Sequence, residues 1–195
     1  MKNAGWIALA SMLTLAAPIA QAEWTLQKGS ELNFLTTKNT HLTEVHTFRT
    51  LVGRLQDNGS ATLSIDLTSI DSAIPVRDQR MRDVLFETAR FATADISTQL
   101  DPVLMQQVQK GESVRTTLTG NLSLHGSESP LEALVQITPA SNGTILVSTI
   151  APVMVQSDDF ALAEGIRKLR DIAGLKAISE VVPVNFTLIF ANQAQ

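Results

Sequence analysis

Residues 60–67 read Ser-Ala-Thr-Leu-Ser-Ile-Asp-Leu, and this stretch decides the fold class. Its odd-numbered residues, from Ala61 to Leu67, are apolar, and its even-numbered residues are polar. A period of two is typical of a β-strand that buries one face and exposes the other. Residues 117–124 and 182–190 show the same alternation. The chain is therefore predicted to consist mainly of strands with one wet face.

Two Asn-Gly pairs join strand-like segments into hairpins. Asn58-Gly59 precedes the stretch at 60–67, and Asn142-Gly143 lies between two apolar runs. Asn and Gly tolerate the positive φ of tight hairpin turns, so both pairs predict antiparallel neighbours. Weaker strand patterns occur at residues 24–27, 32–36, 45–55 and 94–100. About eight or nine strands are enough to curl and close, so the predicted fold is an all-β antiparallel barrel of about eight strands with short helices.

Three segments interrupt the strands with helical patterns. They are residues 78–85, 101–110 and 159–173. In the last segment Leu162, Ile166 and Leu169 share one face of a helix. In the middle segment Asp101 is suited to cap a helix that has Pro102 at its first position. The helices are short, so they are expected to accompany the barrel rather than form a second domain.

The N-terminal residues have the pattern of a secretory leader. Lys2 supplies a positive charge, residues 4–17 carry none, and Ala20-Gln21-Ala22 has the small-x-small form of a signal-peptidase site. The apolar run is shorter than the roughly 20 residues of a membrane-spanning helix, and no later segment is long enough to span a bilayer. We therefore predict that residues 1–22 are a signal peptide cleaved after Ala22, and that residues 23–195 form one periplasmic domain.

Composition excludes several function classes. The chain has 15 Lys and Arg against 19 Asp and Glu, a net charge of −4, which argues against sequence-independent nucleic-acid binding. It has no Cys, which excludes disulfides, thiolate nucleophiles and Cys-ligated metals. No glycine-rich phosphate-binding motif is present. The sequence therefore predicts no cofactor and no nucleic-acid partner.

Residue types that catalysis needs are few and are not arranged for it. The histidines His41, His46 and His125 form no metal-ligand motif, and no G-x-S-x-G nucleophile elbow occurs. Asp158-Asp159 precede a predicted helix, where carboxylates commonly cap the N-terminus and favour the helix dipole. The sequence therefore predicts no catalytic residue and no metal site, and the protein is expected not to be an enzyme.

Several short motifs follow one another after the predicted leader. In chain order they are Trp24, residues 30–34, Ile65-Asp66, Ser69-Ile70-Asp71-Ser72, Arg77-Asp78-x-x-Met81-Arg82, Phe86, Gly120-Asn121-Leu122-Ser123-Leu124-His125-Gly126 and Ser157-Asp158-Asp159-Phe160. Their order and spacing resemble the YceI-like family of bacterial periplasmic proteins over essentially the whole mature chain. The sequence departs from the family pattern at Arg80, where His is usual, and at Ser157, where Arg is usual.

The resemblance implies a lipocalin-like barrel whose interior holds a long-chain amphiphile. Members of the family are described as carriers of polyisoprenoids or isoprenoid quinones, and a fatty-acid-like lipid fits the same description. The apolar strand faces and the motifs would then supply the lining. The lining residues so predicted are Phe34, Phe48, Leu63, Ile65, Leu67, Met81, Leu85, Phe86, Leu122, Phe160 and Phe186. Arg77 and Asp78 are expected near the mouth, beside the polar head of the ligand.

Three functions stay open at this point. An eight-stranded barrel either leaves a slender apolar cavity or fills with its own side chains, and both have the same alternation. The first outcome favours a lipid carrier. The second favours an envelope protein-interaction module, which binds through its short helices and its Arg-rich segment, or a homodimer. The third function is an enzyme that acts on a lipid or envelope substrate through Asp158 and Asp159 or a histidine.

Overall fold

The computed structural model describes residues 23–39 and 41–192, so the predicted signal peptide lies outside the described residues. The described strands form one antiparallel sheet. They are β1 (Glu23–Leu26), β2 (Glu31–Lys38), β3 (Leu42–Phe48), β4 (Leu51–Gln56), β5 (Ser60–Asp66), β6 (Ile70–Asp71), β7 (Thr93–Gln99), β8 (Val114–Leu124), β9 (Ser127–Pro139), β10 (Thr144–Thr149), β11 (Val153–Gln156) and β12 (Val181–Asn192).

Short helices join some of these strands. The α-helices in the described part of the chain are α1 (Pro75–Arg80), α2 (Pro102–Gln109) and α3 (Ala163–Ile172). α1 continues directly into a π-helical turn, Met81–Leu85, and single 3-10 turns occupy Leu67–Ser69 and Ser157–Phe160. No helix between residues 23 and 192, outside the undescribed residue 40, is long and apolar enough to cross a membrane.

Eight of the described strands close into a barrel in the order β1-β4-β5-β7-β8-β9-β10-β12. Closure occurs because β1 pairs with β4 along one edge and with β12 along the other. A closed ring satisfies the backbone groups of its strands within the sheet and leaves them no free edge. The prediction of an antiparallel barrel of about eight strands with short helices is therefore confirmed.

β12 is a long strand that pairs with four other strands. It pairs with β11 and then β10 along one edge, and with β2 and then β1 along the other. β2 in turn pairs with β3, and β3 pairs with the short β6. These added strands lengthen the wall at the end where β12 begins.

Both predicted hairpin turns are present. Gly59 has a φ of 85° between β4 and β5, and Asn142 and Gly143 have φ values of 59° and 66° between β9 and β10. The single strand predicted at residues 45–55 is instead two strands, β3 and β4. The break occurs because β3 pairs with β2 and β6, whereas β4 pairs with β1 and β5.

α2 lies at the end of the barrel that carries the β4–β5 turn. Leu100, which leads into the helix, donates its N–H to the Gly59 carbonyl at 2.8 Å. The Asp101 side chain accepts the Val103 N–H at 2.7 Å, which is the predicted cap. Met105 and Val108 are buried in the core. The helix therefore covers this end of the barrel with its apolar face.

α1 and α3 lie at the opposite end, where α3 packs against the π-helical turn that continues α1. α3 contacts the π-helical turn at Gly165, where an added Cβ would lie 2.9 Å from the Val84 carbonyl oxygen and 3.0 Å from the Leu85 Cα. The helix predicted at residues 159–173 begins only at Ala163, because Ala161 is left-handed with a φ of 54°. Glycine at position 165 permits the close approach of the two segments.

We expect Gly165→Ala to lower the free energy of unfolding by about 1–2 kcal/mol, because its methyl group meets backbone atoms. In an open helix the same change would raise stability by up to about 1 kcal/mol. Urea unfolding measures the difference. Arg167→Ala, at an exposed position of the same helix, is the control and should stay within about 0.5 kcal/mol. A more stable Gly165→Ala protein would contradict the close contact.

Candidate ligand cavity

The inward faces of the strands enclose a cavity of about 440 Å³, a volume in the usual range of ligand pockets. β8 shows that the interior is hollow. Leu118 and Gly120 lie on the inner face of the barrel yet keep part of their surface accessible. Thr117 and Thr119 lie on the outer face and are exposed. A barrel packed with its own side chains would bury the inward positions. The accessible surface of Leu118 therefore belongs to the cavity wall.

Ten of the eleven residues predicted to line the interior lie in the cavity wall. They are Phe34, Phe48, Leu63, Ile65, Leu67, Met81, Leu85, Phe86, Leu122 and Phe186. The eleventh, Phe160, is fully buried but does not line the cavity. It lies in the 3-10 turn that packs against β9, so its ring contributes to the core. That the ten wall residues bind a ligand stays a prediction.

Some lining residues come from elements that the sequence did not assign to the cavity. Val153 and Val155 belong to β11, which is too short for its alternation to be recognised. Leu162, Ile166 and Leu169 belong to the apolar face of α3 and its preceding turn. The helical spacing of these three predicted a buried face, but spacing alone does not tell what the face covers.

The cavity reaches the surface between α1 and the segment that follows α3. Ile74 and Val76 line the cavity and are also 44% and 59% exposed to solvent. Leu175 and Ile178, which line the cavity from the other side, are half-buried. We call this opening the mouth. It lies at the opposite end of the barrel from α2.

Three charged side chains form an ion-pair network at the mouth. Glu44 of β3 accepts a hydrogen bond from Arg77 Nη1 at 2.7 Å and another from Lys38 Nζ. The hydrogen bond from Lys38, together with that from Arg77, lowers the pKa of Glu44 to about 2. Lys38 and Arg77 both line the cavity. One carboxylate compensates only one of these two positive charges, so the network keeps a net positive charge before any ligand is present.

The two predicted mouth residues have different positions. Arg77 lines the cavity, whereas Asp78 is buried behind it and does not contribute to the lining. The Asp78 carboxylate accepts hydrogen bonds from the Ser72 hydroxyl and, at 2.8 Å, from the Ser72 N–H. Arg77 Nε donates to the same hydroxyl at 2.8 Å. Asp78 therefore holds the start of α1 and keeps Arg77 in place.

His46 is a polar group inside the apolar wall. Its ring is buried, lines the cavity and places Nε2 2.9 Å from the Thr36 hydroxyl oxygen. Burial, and then the nearby charge of Arg77, lowers the pKa of His46 below its usual value, so the ring is uncharged at neutral pH. Its Nδ1 has no hydrogen-bond partner among the residues described. The sequence did not indicate His46 as part of the wall.

The groups considered for catalysis do not assemble. Asp158 and Asp159 are both exposed. The prediction that they cap a helix was wrong, because α3 begins beyond the left-handed Ala161 and no side chain caps it. His125 lies in the β8–β9 turn, 3.7 Å from Glu87. Within residues 23–39 and 41–192, no three His, Asp or Glu side chains come together as a metal site requires.

A comparison with protein-family models identifies the family of this barrel. The model of the YceI-like domain matches residues 24–190, which is nearly the whole described chain. The chain belongs to the YceI-like family. The resemblance found in the short motifs is thereby confirmed. No curated protein sequence matches this YceI-like chain significantly.

Solved structures share the fold of this YceI-like protein. A polyisoprenoid binding domain from Saccharophagus degradans is 35% identical, with a TM-score of 0.82, and the match covers 87% of this chain and 98% of that one. Burkholderia cenocepacia BcnA is 17% identical, with a TM-score of 0.61, over 83% of this chain and 96% of that one. A variant of the Campylobacter jejuni YceI protein is 14% identical, with a TM-score of 0.52, over 77% and 85%.

The ion-pair network of this YceI-like protein predicts a loss of stability in acid. The pKa of Glu44 is about 2 in the folded protein, against 4.5 for an unperturbed glutamate. The unfolded chain therefore takes up a proton at a pH where the folded protein does not. The stabilisation is complete above the unfolded pKa and is lost as the pH falls through the folded one. We expect urea unfolding between about pH 5 and about pH 2 to show a steeper loss in the unaltered protein than in Glu44→Gln.

Glu164→Gln is the matched control for this experiment. The hydrogen bond from Lys168 also lowers the pKa of Glu164, but its side chain is 68% exposed, so solvent screens the interaction. Its pH dependence should stay close to that of the unaltered protein. The same acid response in Glu44→Gln and the unaltered protein would contradict the role of the network.

Proposed function

We propose that this YceI-like protein is a periplasmic carrier that binds a long-chain amphiphile inside its barrel. The ligand would be a polyisoprenoid, an isoprenoid quinone or a fatty-acid-like lipid. The observation that carries the proposal is the hollow interior, an apolar cavity into which inward residues such as Leu118 keep accessible surface. The mechanism is sequestration of a water-insoluble chain and its later release, without a chemical step.

The lining suits a hydrocarbon tail. Burial of each methylene group gains about 0.8 kcal/mol before the cost of ordering the chain, so a long tail needs few polar contacts. The end of the cavity near α2 is lined by Leu55, Leu100 and Phe190, which offer only apolar atoms from their side chains. A tail that runs toward α2 therefore meets no buried charge along these residues.

The polar groups of the lining favour one orientation of the ligand. Lys38, His46 and Arg77 all line the cavity at the mouth end. An amphiphile would place its polar head there and its tail toward α2, because the reverse orientation would bury the head among Leu55 and Leu100 without hydrogen-bond partners. Arg77 and the neighbouring Arg80 are the side chains best placed to meet the head.

The comparisons support the class of ligand. The Saccharophagus degradans domain, which is described as polyisoprenoid binding, is 35% identical to this chain and matches it over almost its whole length. The exposed positions of Asp158 and Asp159 support a binding protein rather than an enzyme, since neither carboxylate faces the cavity wall. A protein partner from the envelope and a homodimer stay predictions.

The decisive measurement is native mass spectrometry of the protein purified from its own periplasm, followed by organic extraction. We expect a complex with a long-chain lipid, which the extraction identifies. Protein that carries no lipid, and takes up none from polyprenol, quinone and fatty-acid mixtures, would refute the carrier proposal.

Ala133→Phe tests the cavity itself. Ala133 lines the cavity from β9, opposite Leu118 on β8, so a phenyl ring there would occupy space that the tail needs. We expect lipid retention to fall by about tenfold or more, with the circular dichroism spectrum unchanged. Val52→Phe, on the exposed outer face of β4, is the control and should retain lipid. Full retention in a folded Ala133→Phe protein would contradict binding inside the barrel. Ile65→Asp is an independent second variant. It places a charge in the apolar wall and should likewise abolish lipid retention in a folded protein.

The periplasmic location has its own test. Protein recovered from the periplasmic fraction is expected to begin at Glu23, because Ala20-Gln21-Ala22 fits signal-peptidase specificity. N-terminal sequencing or intact mass measures this directly. Retention of residues 1–22, or recovery only from the cytoplasm, would contradict both the cleavage and the location.

A further inference from the structure

Exposed apolar side chains gather on one side of the mouth. Leu42 of β3 is 53% exposed, and Ile74 and Val76 at α1 are 44% and 59% exposed. Leu42 lies at the start of β3, two residues before Glu44, which bonds to Arg77 of α1. The β3 start and α1 therefore border the same side of the opening. Ile74 and Val76 also line the cavity, so their apolar surface is shared between the interior and the outside of the mouth.

Cations without acidic partners accompany these residues. Arg80 is exposed and has no partner in the described part of the chain. Lys176 is exposed beside the β2–β3 tip, where its N–H donates to the Asn39 side chain at 2.8 Å, and its ammonium group has no ion pair among the described residues. We call Leu42, Ile74, Val76, Arg80 and Lys176 the lip.

The acids of the same segment are already engaged. Asp78 is buried against Ser72, and Asp83 accepts hydrogen bonds from Gln79 at 2.8 and 2.9 Å. Arg82 donates to the Gln79 side-chain oxygen at 2.9 Å. Because Gln79 is uncharged, Arg82 and Asp83 both keep their charges. The lip itself contains Arg80 and Lys176 and no carboxylate, so it is locally positive on a chain whose overall net charge is −4.

Acidic side chains lie farther from α1. Asp158 and Asp159 follow β11, and Glu180 directly precedes β12; all three are exposed. β2 and β12 separate these acids from β3 and α1. Lys176 lies between the two groups, on the segment after α3 and beside the β2–β3 tip. An uneven distribution of charge orients a protein on a charged surface.

We propose that the lip docks on the surface of a bilayer that contains anionic lipids, so that a ligand passes between bilayer and cavity without crossing water. Exposed apolar side chains rimmed by unpaired cations are the combination that anionic lipid surfaces bind. Because the lip lies at the mouth, the contact would place the opening of the cavity against the bilayer. The inference rests on the proposed carrier function, because only a water-insoluble ligand requires such a transfer.

The test is flotation of the purified full mature chain with vesicles. The lip variant is Leu42→Ser with Lys176→Gln, two residues that do not line the cavity. The matched control is Val103→Ser with Lys110→Gln at the α2 end, where Val103 is 63% exposed and Lys110 is exposed too. Both variants lose one exposed apolar side chain and one positive charge, so only the location differs.

The unaltered protein is expected to float with phosphatidylglycerol-containing vesicles and not with pure phosphatidylcholine vesicles. The lip variant should bind the anionic vesicles about tenfold more weakly, and the control variant as well as the unaltered protein. High salt should release the unaltered protein, because part of the attraction is between charges. Absence of flotation, or an equal loss in the control variant, would overturn the proposal.

A second readout separates this proposal from the carrier function. When a polyprenol is supplied in detergent, the lip variant should load as much as the unaltered protein, since neither substituted residue lines the cavity. When the polyprenol is supplied in anionic vesicles, the lip variant should load more slowly. Equal loading rates from vesicles would contradict the docking role. Failure of the unaltered protein to load from detergent would instead refute the carrier function.

Discussion

In a closed barrel every strand has one face inside and one face outside, and the rest of this structure depends on that constraint. Closure through β1, β4 and β12 fixes which side chains of each strand share the interior. Because the alternation is apolar on the inner face, the enclosed space becomes a low-polarity compartment. α2 covers one end of the barrel, and the mouth lies at the other end, between α1 and the segment after α3.

The polar groups of the cavity lining are concentrated near the opening, at the mouth end of this compartment. Glu44 pairs with both Lys38 and Arg77, and Asp78 is bound to the Ser72 backbone and hydroxyl. His46 is kept neutral by burial, with Arg77 adding to the effect. The same hydrogen bonds hold α1 against β3 and the loop at Ser72. Electrostatic balance and the position of the helix beside the opening are thus parts of one arrangement.

Much of this architecture was predictable, and the failures have physical reasons. Ile65 and Leu122 were placed inside correctly, because alternation in a strand fixes the side of the sheet. Phe160 lies in a 3-10 turn, where no such period exists, and its side chain is fully buried without lining the cavity. The hollow interior was not predictable, because an inward leucine such as Leu118 has the same sequence pattern whether it meets another side chain or a cavity. Asp158 does not cap α3 as expected, because Ala161 adopts a left-handed conformation and the helix begins only at Ala163.

The pairing of Trp24 with Asn192 joins the first described strand to the last. Contacts between residues so distant in sequence raise the contact order, and barrels of this kind fold slowly because the chain loses much entropy before these contacts form. Until β12 is available, β1 and β10 each lack a neighbour and the interior is open along its whole length. The cavity is therefore complete only when β12 is paired, and a chain without β12 would expose the unpaired edges of β1 and β10 to other strands.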